Sequence, residues 1–132
     1  MRNEAIAEIS GRRITLMDSI SLIAPGDKGT VIVCGSHGGP ISGAFASLHP
    51  PHLVFFNDAG GGKSNAGRAA IEMLDAKGIA CATISHETAR IGDAEDAWLN
   101  GTVSASGKAA QQIGVKPGQT VKDAVEKAVG RS

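Results

Sequence analysis

Three short segments hold the residues that could do chemistry. They are Gly35-Ser36-His37-Gly38-Gly39, then Asn57-Asp58-Ala59-Gly60-Gly61-Gly62-Lys63-Ser64, then Ser85-His86 and the stretch reaching Arg90. Histidine titrates near neutrality, so His37 and His86 suit proton transfer, and Asp58 is suited to orient one of them. Three consecutive glycines have no packing value; they suit positive φ angles or close backbone approach to a ligand. A helical pattern follows, so Gly60, Gly61 and Gly62 are expected to offer N–H groups to an anion, with Lys63 and Ser64 beside them. Ser36, Gly38, Asn57 and Ser85 complete the expected ligand-binding set. Arg90 could fork onto a carboxylate or phosphate, or pair instead with Asp93 or Asp96.

Rival chemistries fit less well. The second segment is one residue short of the phosphate-binding pattern GxxxxGK[ST], with Asn57 where the first glycine belongs. No other strand ends in the acidic residue a magnesium site needs unless Asp58 serves, so an anion-holding loop is expected rather than a nucleotide hydrolase. The histidines and Asp58 could bind zinc, but no tight His-x-His or His-x-x-x-His spacing supports it. Cys34 and Cys81 fall inside apolar runs, where a thiol is inert. Ser36 or Ser85 could act as a nucleophile only with a histidine in reach, and G-x-S-x-G is absent. No cofactor and no resident metal are expected. In the plainer alternative, the glycines make a tight turn, Lys63 is solvated and the histidines are structural.

The elements that must position these groups follow from patterning. Residues 4–10 and 12–17 alternate about Gly11 and read as two short strands, a possible N-terminal antiparallel hairpin. Asp18 would cap a helical turn through Ile23, before a turn at residues 25–29. Residues 30–34, 52–56 and 79–84 are continuous apolar runs, as in strands buried on both faces. Between them lie a helix over Pro40–Leu48 and a second in which Ala66, Ala69, Ala70, Met73 and Leu74 recur at helical spacing, stopped by Gly78. Helices are expected from Asp93 through Leu99, over residues 104–113 and over residues 120–129. Glu72, Asp75 and Lys77 read as a solvated face, and Trp98 as a packing anchor.

This is an α/β pattern: one three-layer domain with a mainly parallel sheet. Crossovers of this length are right-handed and make strands parallel, so the three buried strands should end at one rim. Ligands of open α/β sheets bind outside that rim.

Composition bounds the partners. Among 132 residues, 13 basic and 13 acidic side chains cancel. That removes the electrostatic footprint of a nucleic-acid binder. No apolar run nears the ~20 residues that cross a bilayer. With no signal-peptide pattern, a cytoplasmic location is expected. Glycine, 18 of 132, is about twice its ordinary share. Alanine-rich faces imply a thin core that a homo-oligomer would help to bury.

The Thr30 to Gly39 block resembles the strand-then-His-Gly block of caspase-like (caspase–haemoglobinase fold) cysteine peptidases. The Leu53 to Gly61 block is similar to their second, an apolar strand followed by Asp-Ala-Cys and a glycine. By that resemblance His37 matches the catalytic histidine, Asp58 and Ala59 precede the nucleophile, and Gly60 stands at the nucleophile position. The resemblance therefore implies the sheet topology without the peptidase chemistry. The residues themselves point to a small anionic molecule as ligand and to a hydrolase or proton-transfer enzyme. The alternative is a non-catalytic ligand-binding or interaction subunit, an inactive peptidase-like scaffold.

Overall fold

The computed structural model describes residues 2–61 and 69–130. Strands β1 (Asn3–Ile9) and β2 (Arg12–Met17) form an antiparallel hairpin turning at Ser10 and Gly11. The chain continues through 3-10 turns at Ile20–Leu22 and Pro25–Asp27 to β3 (Val31–His37), α1 (Pro40–Leu48), β4 (Leu53–Asn57), α2 (Ala69–Asp75) and β5 (Ala80–Ile84). Helix α3 (Ala94–Asn100), strand β6 (Val103–Ser106), α4 (Lys108–Gln112) and α5 (Val121–Gly130) complete it.

The six strands lie in chain order, β1-β2-β3-β4-β5-β6. Strands β2 to β5 are parallel, and the outer two pair antiparallel. Successive strand side chains point to opposite faces. Ile32, Cys34, Val54, Phe56 and Cys81 therefore pack with Ala46, Ala70 and Leu74 of α1 and α2. Val31, Val33, Leu53, Phe55, Ala82 and Ile84 face α3, α4 and α5. Burial on both faces is why these strands read as unbroken apolar runs. The three-layer α/β class and the hairpin are as the sequence indicated.

Three local readings are corrected. Residues 104–113 are not one helix: Val103–Ser106 is β6, and only Lys108–Gln112 is helical. The outer edge of β5 would otherwise expose unpaired N–H and C=O groups, and β6 covers it. Asp75 is not on a solvated face; its carboxylate accepts from Lys108 N (2.8 Å) and Ala109 N (3.1 Å) and so caps α4. A Cβ at Gly107 would fall 2.6 Å from Asp75 Oδ1, so a side chain there would have to displace the capping carboxylate. Finally, Ser19 rather than Asp18 caps the turn at Ile20–Leu22. Asp18 accepts instead from Arg2 N (2.7 Å) and Ala94 N (2.9 Å).

Helix α3 packs against β2 and β3, although its chain arrives from β5. Residues 85–93 must therefore run across the carboxyl ends of the parallel strands. They bond to each strand end in turn. His86 N donates to Asp58 Oδ1 after β4, Asn57 Nδ2 donates to Ala89 O, and Gly92 N donates to Gly35 O of β3 (2.7 Å).

Candidate functional site

Helices on both sides and parallel strands between them leave one rim where β3, β4 and β5 all end. His37 and Ile84 are both register partners of Asn57, on opposite sides of β4. At the usual strand spacing their backbones are about 10 Å apart. The segments bearing His37, Asp58 and His86 thus share a rim.

The tightest constellation on that rim is Asp58 with His86. Asp58 Oδ1 accepts from Gly60 N (2.8 Å) and His86 N (3.1 Å), and lies 3.1 Å from His86 Nδ1. Asp58 is 4% exposed, whereas His86 reaches into solvent. Burial pushes the carboxyl pKa up, but the Ser104 hydroxyl and the Gly60 and His86 donors outweigh it, so the value falls below the usual 3.8. An ionised carboxylate on Nδ1 favours the tautomer with its proton there, leaving Nε2 as a base. Among the described residues, Nε2 has no hydrogen-bond partner.

The turn that presents Asp58 is strained. Ala59 and Gly60 both have positive φ, 50° and 77°. For alanine that costs roughly 1–2 kcal/mol. Two side chains hold the turn there: Asn57 Oδ1 accepts from Ala59 N (2.8 Å) and Asp58 Oδ1 from Gly60 N. A Cβ at Gly60 would lie 3.6 Å from the His86 ring, so a side chain there would rest against the imidazole.

Other expected site residues have local duties. Asn57 is 2% exposed, and both ends of its amide are engaged within the protein. Gly38 donates to Asn57 O and accepts from Ala70 N, joining β3 to β4 and α2. The Ser85 hydroxyl accepts from Glu87 N. The Gly60 N–H is engaged by Asp58 rather than turned outward. Gly61 ends the described part of the turn; Gly62, Lys63 and Ser64 lie outside the described residues. Arg90 is exposed beside Asp93 and Asp96, and its own N–H donates to Asp96 Oδ2 (2.8 Å). Its guanidinium is in no ion pair among the described residues.

His37 and Ser36 line a separate open cleft of about 770 Å³, between the turn at Ile20–Leu22, the end of β3 and α1. His86 is not among its lining residues, so the two histidines serve different walls of the rim. Cys34 is fully buried, and desolvation pushes its thiol up to about 11, which leaves almost no thiolate at neutral pH.

Ser104 and the cleft residues Ser19, Ser21, Ile41 and Phe45 were not expected. Ser104 was hidden by reading its strand as helix, and no motif marks the others. Among the described residues no three His, Cys, Asp or Glu side chains cluster as a metal site, and no helix is long and apolar enough to cross a membrane. No known protein family, curated protein or solved structure matches the chain.

Proposed function

We propose that the protein is a hydrolase or proton-transfer enzyme acting on a small anionic molecule at the carboxyl rim of its sheet. The observation that supports this most is the buried Asp58 carboxylate against His86 Nδ1 at 3.1 Å. It makes His86 the base and Asp58 its positioning partner, and His37 is available as a second acid–base group on the next strand but one. Charge recognition rests on Arg90 and on the sequence Gly61-Gly62-Lys63-Ser64. Among the described residues no Ser, Thr or Cys side chain bonds to either histidine ring, so water is the favoured nucleophile. That same absence favours the second reading, a ligand-binding subunit without turnover. The reading includes a homo-oligomer, supported by Leu48 and Leu99, which stay 65% and 54% exposed.

The test is hydrolysis of a panel of aryl phosphates and carboxylate esters by the wild type and by His86→Ala and Asp58→Asn. The enzyme reading expects His86→Ala to abolish turnover and Asp58→Asn to lower kcat with KM little changed. Ligand-induced stabilisation that survives in both variants, with no turnover in the wild type, would leave the binding subunit instead.

A further inference from the structure

The cleft beside His37 differs from the rest of the rim in its chemistry. Its apolar wall is built by Ile20, Ile41, Phe45 and Ile91, and among the described residues no Lys or Arg lines it. The one carboxylate there, Asp18, is already held by two backbone N–H groups. Three hydroxyls are likewise engaged: Ser36 accepts from Ile20 N, and Ser19 and Ser21 bond each other. Among the described residues, an anion would meet no lysine or arginine here. Ile41 and Ile91 stand 74% and 54% exposed at this cleft, and an apolar occupant would bury them.

We propose that this cleft receives an uncharged apolar group of the substrate, a short aliphatic chain or a single ring, with the His37 imidazole meeting its polar end. It rests on the reading of the rim as a reaction site, and it narrows the substrate class: a small amphipathic molecule with its charge towards β4 and β5 and its apolar end towards β3 and α1. A polyphosphate, charged throughout, does not fit that division.

The experiment is a backbone-amide NMR titration of the full chain with hexanamide, benzamide and inorganic phosphate. Both amides are expected to shift Ser36, Ile41 and Ile91 saturably, while inorganic phosphate leaves them unmoved. Ile41→Lys removes apolar contact and adds charge at the mouth, so it should weaken hexanamide by about tenfold. Because Ile41 is largely exposed, its Tm should hold. Asp58→Asn should bind hexanamide as the wild type does, which keeps this outcome separate from that of the catalytic pair. The proposal is overturned by hexanamide shifts that are absent or scattered elsewhere, by Ile41→Lys titrating like the wild type, or by phosphate moving the same amides. It is overturned equally if sedimentation shows a dimer that Ile41→Lys dissolves, since the cleft would then be a subunit interface.

Discussion

Asp58 sits where a strand end, a strained turn and the crossing segment meet, and its charge is what joins them. Its carboxyl pKa is lower in the fold than in the unfolded chain, through the Ser104, Gly60 and His86 donors acting against burial. A depressed carboxylate contributes stability that is present above its unfolded value and lost as pH falls through its folded value. Chemical denaturation from about pH 6 to about pH 2 should therefore show stability falling at the acid end, more shallowly in Asp58→Asn. Parallel curves for the two proteins would mean that the carboxylate is not held as described. The same substitution tests catalysis at neutral pH, where an amide can no longer favour the Nδ1–H tautomer of His86 as a carboxylate does.

Helix α4 has five residues, too few to be stable alone. It exists because Asp75, at the end of α2, satisfies two of its first N–H groups from outside. Asp75→Ala should cost about 1 kcal/mol in urea denaturation, and Asp75→Asn much less, because asparagine also caps. Faster hydrogen exchange confined to α4 would mark the effect as local, whereas equal losses in both variants would contradict the capping role. This contact was not legible in the sequence, since Asp75 and Lys108 are 33 residues apart and no pattern links them. What was legible had a strong local signal: apolar runs for β3, β4 and β5, Pro40 opening α1, Asp93 capping α3, and Val121, Ala124, Val125 and Ala128 along the buried face of α5. Strand β6 had none, because Val-Ser-Ala-Ser is short and built of small residues that suit a helix as well. The convergence of turns at one rim was legible for a different reason: parallel strands joined by helices must end together. The internal bonding of Asn57 was not legible, because its partner, Ala89 O, reaches it only through the segment crossing the rim.

At the scale of the whole molecule, that crossing segment connects the two faces of the sheet. Residues 85–93 carry His86 at one end and deliver α3 to the opposite face at the other, bonding to β4 and β3 on the way. The position of His86 therefore depends on how closely the segment lies on the strand ends, and Gly35 sets that distance. A Cβ at Gly35 would meet Gly92 C at 2.6 Å, Asp93 N at 2.7 Å and Asp18 O at 2.8 Å, all backbone atoms that no rotamer change can clear. Gly35→Ala should lift the segment, with an overpacking cost of about 1–3 kcal/mol. Hydrogen exchange should rise across residues 85–93 and the first turn of α3, while β4 and β5 remain protected. If His86 supplies the base, turnover should fall in the same variant, although Gly35 lies on another strand and touches no ring. Unchanged exchange in residues 85–93 would show that the segment is held by its own turns and not by the strands beneath it.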